Sequence, residues 1–203
     1  MSNSYNSICS DDPNAMKSFP ARIWIAIGMV MYCASTSQAQ PANRDPNINS
    51  AVSPQVNSSI NPDVNSLINP NINSSLNPNI NSSINPNINS SLNPRINASI
   101  NPRINSSLNP NINSSINPKF SRNLRGMYLW NREGQLAGLL IFANSSFLIW
   151  YSGGEWQGYA ASNGSDGFNL FDTDGEWIGY LLYNSQDGLN LFTKSGKWNG
   201  FTT

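Results

Sequence analysis

Glu133, Glu155, Asp166, Asp172, Asp174, Glu176 and Asp187 are the acidic residues beyond Gly126. Two carboxylates facing each other across a cleft could act as the acid and base of glycoside cleavage. Each of these seven, though, lies in or beside a glycine-containing turn, where acidic side chains commonly serve backbone conformation. Asp172-Thr173-Asp174-Gly175 has the opening of a calcium loop without the downstream ligands of an EF-hand. The sequence holds no histidine, and Cys9 and Cys33 both lie near the N-terminus. A chain cut after them has no imidazole or thiol for a triad, a thiolate or a zinc site. A Gly-x-Ser-x-Gly elbow is also missing. These residues predict a non-enzymatic protein with no catalytic residues, no cofactor and no metal.

Aromatic side chains make the stronger functional claim. Trp156, Trp177 and Trp198 recur in step, with Tyr159 and Tyr180 each three residues beyond a tryptophan. Such a ladder could stack on a glycan or dock a cell-surface protein. Against that, a small domain needs large side chains to make any core, and core is the favoured reading for each tryptophan. Basic and acidic residues balance at 11 each, too few cations to bind nucleic acid.

The elements that position these residues form an internal repeat. MYLWNREGQLAGLLIFANSS, FLIWYSGGEWQGYAASNGSDG, FNLFDTDGEWIGYLLYNSQDG and LNLFTKSGKWNGFTT align as four units. Trp130, Trp150, Phe171 and Phe192 correspond, as do Gly134, Gly154, Gly175 and Gly196. Leu136, Trp156, Trp177 and Trp198 follow, and then Gly138, Gly158, Gly179 and Gly200. Each unit reads as a β-hairpin whose turn ends in a glycine that tolerates positive φ. Alternation along Glu176 to Tyr183 places Trp177, Gly179, Leu181 and Tyr183 on one face and Ile178, Tyr180 and Leu182 on the other. The glycine after each tryptophan position predicts close backbone or ring approach. At these residues the chain resembles the 4-fold β-flower domain, a small bacterial module of four hairpin repeats. The resemblance spans roughly Gly126 to Thr203 and implies a fold and no site. The expected fold is all-β, with residues 126–203 forming four β-hairpins around a shared core.

Upstream, proline recurs every eight residues from Pro46 to Pro118, and an apolar residue every four from Ile48 to Phe120. Proline excludes helix, while Asn-Pro and Ser-Ser favour local turns. Two readings stay open: a low-complexity spacer too polar to bury a core, or a narrow β-solenoid of one octad per coil. In the second, the period of four in an extended chain puts every Ile and Leu on one face. The lack of aromatics, corner glycines and a capping unit favours the first, a disordered or extended stalk over residues 40–120. Asn57, Asn73, Asn81, Asn89, Asn105 and Asn113 each begin Asn-Ser-Ser, a glycosylation acceptor, although turn chemistry accounts for the same residues.

Residues 1–39 read as a signal peptide with a polar leader. Lys17 and Arg22 precede the apolar run from Ile23 to Ala34, which is shorter than the roughly 20 residues that span a bilayer. Ser37 and Ala39 suit cleavage before Gln40. Because Asp11 and Asp12 are foreign to such a leader, either Met16 is the working start or the leader is unusual. The function expected is an exported, secreted or periplasmic β-repeat module on a spacer, with a binding or structural role. The alternative is a membrane-anchored surface protein, with the membrane a partner only if the segment is uncleaved.

Overall fold

The computed structural model describes residues 42–203; the expected signal peptide and its expected cleavage site lie outside the described residues. Eight strands occupy the C-terminal part: β1 (Gly126–Asn131), β2 (Leu136–Asn144), β3 (Phe147–Ser152), β4 (Glu155–Ser162), β5 (Gly167–Asp172), β6 (Trp177–Tyr183), β7 (Leu189–Thr193) and β8 (Trp198–Thr202). Each pairs antiparallel with the next, and β8 returns to β1, so the sheet closes into a barrel without edges. Each sequence unit is one hairpin, and the four share one core.

The hairpin turns explain both the repeat and its one irregularity. Gly134, Gly175 and Gly196 take φ of 78, 80 and 83°, the left-handed conformation that closes a three-residue loop. The β3–β4 loop is one residue shorter, with positive φ at both Gly153 and Gly154. Tyr151 therefore faces Trp156, as Phe171 faces Trp177 and Phe192 faces Trp198. Trp150, expected to correspond to Phe171, turns into the barrel against Gly158 instead.

A second correction concerns β6. A bulge recurs at the start of each returning strand, and in β6 the extra residue lies between Trp177 and Gly179. One inserted residue reverses the side-chain alternation. Trp177 thus shares its face with Tyr180 and Leu182, not with Gly179 and Leu181.

Inside the barrel, Met127, Leu140, Leu148, Ala160, Leu170 and Leu181 form an aliphatic core. Eight strands enclose little more space than such side chains fill. Gly138, Gly158, Gly179 and Gly200 mark the seams between consecutive hairpins. A Cβ at any of them would collide with a carbonyl oxygen of the adjoining strand, which is the close approach that the repeat implied.

In the structure the octads form a regular succession of turns and not a stack of β-strands. In Asn77–Ile84, the amides of Ile80 and Asn81 both donate to the Asn77 carbonyl, at 3.0 and 2.8 Å. Ser82–Ile84 then forms one 3-10 turn capped by Asn81. Every corner asparagine of this octad works twice. The Asn77 Oδ1 accepts from the Asn79 amide at 2.9 Å, and the Asn81 Oδ1 from the Ser83 amide at 3.1 Å. Their Nδ2 groups donate backwards, to the Pro70 carbonyl at 3.1 Å and the Ser75 carbonyl at 2.8 Å. A straight 3-10 run would carry residues seven apart about 14 Å from each other. Those bonds therefore require the chain to double back, one coil per octad. The solenoid reading was right about the coil and wrong about its conformation, because asparagine side chains supply the bonds between coils.

This coiled segment wraps the barrel as a collar. Arg44 donates to the Gly126 carbonyl on β1 at 3.1 Å, and Asn190 on β7 to the Ile60 carbonyl at 3.1 Å. Asn169 on β5 donates to the Ile84 carbonyl at 3.0 Å, and Tyr151 on β3 to the Ile116 carbonyl at 3.2 Å. Successive coils thus meet the strands in descending order. Apolar residues that follow Ser-Ser, such as Leu76, Ile84, Leu108 and Ile116, point inwards and are buried. Those that follow Pro-Xaa point away and are exposed, so the Ile and Leu positions split between two faces instead of sharing one.

Candidate functional site

The outer face of the barrel carries an aromatic belt. At each seam the residue after the glycine pairs across the strands with the aromatic of the next hairpin: Leu139 with Tyr151, Tyr159 with Phe171, Tyr180 with Phe192, and Phe201 with Trp130. Tyr159 and Phe171 stack with centroids 5.4 Å apart, as do Tyr180 and Phe192. Offset stacking of this kind adds to the area buried.

The five residues expected as an aromatic binding surface all belong to this face, and the collar covers it. Tyr159 and Tyr180 are wholly buried, Trp177 and Trp198 are 6% exposed, and Trp156 is half-buried. Arg132, from the β1–β2 turn, lies 4.9 Å over the Trp198 ring, and Lys194, from the β7–β8 turn, lies 5.9 Å over Trp177. Trp156 and Trp198 donate their Nε1 hydrogens to the carbonyls of Gly158 and Gly200, at 2.8 and 2.7 Å. The ladder lies at the interface between the two parts of the chain, with Trp156 its one partly exposed member.

Burial raises the Tyr151, Tyr159 and Tyr180 hydroxyls well above the ordinary tyrosine range, with Asp172 adding to the effect at Tyr159 and Arg103 and Arg95 opposing it. Tyr151 has a hydrogen bond to the collar, whereas the Tyr159 and Tyr180 hydroxyls are buried without a protein partner.

Three of the turn carboxylates pair with cations of the collar. Glu176 pairs with Arg95, Asp174 with Arg103, and Glu155 with Lys119 at 2.9 Å, while Arg132 pairs with Asp63. Each collar partner follows a proline, the same position from which Asn47 reaches the Gly134 carbonyl and Asn71 the Gly196 carbonyl, both at 3.0 Å. Asp172 accepts from the amides of Asp174 and Glu176 and so shapes its own turn. Among the described residues, no three His, Cys, Asp or Glu side chains gather as metal ligands.

One cleft of about 600 Å³ opens where the collar begins, at the barrel end opposite the glycine turns, among Arg44, Val52, Arg125, Met127, Phe142 and Asp187. Sequence reasoning missed it, because its walls come from the first coils, β1, β2 and the β6–β7 turn and share no spacing. The buried Asn169 and Asn190, which hold the collar on β5 and β7, were missed as well. Their signal is a polar residue inside an otherwise apolar strand. Compared with known proteins, the chain matches no family model, no curated protein and no solved structure.

Proposed function

We propose that this is an exported, non-enzymatic module with a binding or structural role, in which the octads are part of the module's body. The observation that supports this most is the use made of the residues able to do chemistry. Glu155, Asp174 and Glu176 are committed to ion pairs with the collar, and the aromatic ladder lies beneath it. Four hairpins with a repeated glycine turn, bulge and seam also favour the likeness to the 4-fold β-flower domain, which carries no activity with it. Export rests on the Ser37-Gln38-Ala39 site after a short apolar run. The second reading is a surface protein anchored by the uncleaved segment from Ile23 to Ala34, favoured by the polar leader before Met16.

Intact-mass measurement of the protein recovered from its host separates the two. A chain beginning at Gln40 is the expected result. A chain retaining Trp24 overturns export with cleavage and supports the anchor.

A further inference from the structure

The collar carries a second apolar surface that its own fold does not use. Every eighth residue from Ile48 to Phe120 is aliphatic or, at Phe120, aromatic, and each is 65 to 74% exposed. The fold asks only for the backbone here, as where the Ile80 amide donates to the Asn77 carbonyl. The neighbouring corner and turn positions hold Asn and Ser, and a polar side chain would fit these positions equally well. Octads that diverge elsewhere still place Val56 or Val64 in the row. Eight of the ten members, all but Ile88 and Ile112, follow a residue that bonds to a hairpin turn, so the row runs round the rim of that end of the barrel.

We propose that the row is the contact through which a second copy of this chain docks. Its size fits. At about 100 Å² for an aliphatic side chain, ten members at two-thirds exposure present roughly 600–700 Å². The largest apolar patch on a typical monomer is about 300–600 Å², and a standard interface covers about 800 Å² per partner. Its charge also fits. The cations beside the row, Arg95, Arg103 and Lys119, are paired with Glu176, Asp174 and Glu155 of the same chain. That leaves the surround neutral, as the centre of a homodimer interface usually is. A two-fold contact sets row against row, and another copy has the same repeat around the same rim. A bilayer fits less well, since surface-bound proteins rely on unpaired Lys and Arg and on tryptophan.

Sedimentation equilibrium of the full chain tests this, with Ile80→Asn, Ile88→Asn and Ile96→Asn combined as the variant. The expected result is a dimer for the parent chain and an unchanged thermal midpoint for the variant, with a dissociation constant raised about a hundredfold. Should the triple change disturb folding, Ile88→Arg alone places a charge in the contact and reads the same equilibrium. A monomeric parent chain, or variants that still dimerise, would overturn the proposal. So would binding of the parent chain to phosphatidylcholine vesicles that the variants lose, which would assign the row to a bilayer.

Discussion

Tyr151, Tyr159 and Tyr180 lie at the collar–barrel boundary, and their hydroxyls distinguish a satisfied interface from an unsatisfied one. Tyr180→Phe removes a buried hydroxyl without a protein partner and should leave the melting temperature unchanged or slightly raised. Tyr151→Phe removes the bond to the Ile116 carbonyl and should cost about 1 kcal/mol, readable by urea denaturation. All three have hydroxyl pKa values raised in the folded chain. The folded state therefore holds its protons more tightly, and stability should be constant below the unfolded value of about 10 and fall as pH rises above it. A melting temperature flat to pH 11 would mean that these side chains are solvated. Trp177→Ala should cost about 3–5 kcal/mol, as large aromatic truncations do. Much of this scale was legible beforehand: turn glycines and seam glycines each follow from a backbone requirement that only glycine meets. The exchange of Trp150 for Tyr151 was not, because one residue fewer in a turn shifts every later side chain by a face.

At the scale of elements, the collar depends on asparagine more than on proline. Asn85 is buried, accepts from the Asn87 amide at 2.8 Å and donates to the Pro78 carbonyl at 2.7 Å. Asn85→Asp keeps the acceptor, loses the donor and buries a charge, so it should destabilise the chain by roughly 1–3 kcal/mol. Asn79 reaches only the exposed Lys194 carbonyl, and Asn79→Asp should cost less. Equal costs at the two positions would argue against bonding between coils. The period of eight was plain in the sequence, and so was the exclusion of helix. Coil geometry was hidden, because Asn-Pro and Asn-Ser-Ser signal turns without saying where successive turns lead. The composition also suggested a segment too polar to bury a core, yet the collar needs only one inward apolar residue per octad, since the barrel provides the rest.

For the whole molecule, collar and barrel complement each other in charge and in apolar surface. Beyond Gly126 the carboxylates outnumber the cations, and Arg95, Arg103 and Lys119 offset that excess at the turns. Neither part has a second partner for its inward face. Residues 126–203 made alone should therefore expose the aromatic belt and bind 1-anilinonaphthalene-8-sulfonate more strongly than the full chain, in which the collar covers that belt. A barrel that binds the dye no more strongly than the full chain would contradict the collar's covering role. The central claim is that the octads embrace the barrel and do not hold it at a distance, and small-angle X-ray scattering of the full chain measures this most directly. As a monomer, a collared barrel of the described residues has an expected radius of gyration of about 15 Å by the scaling for compact domains. A barrel on a free stalk of roughly 50 Å mean reach would give a far larger radius and an extended tail in the distance distribution, and that result would contradict the account.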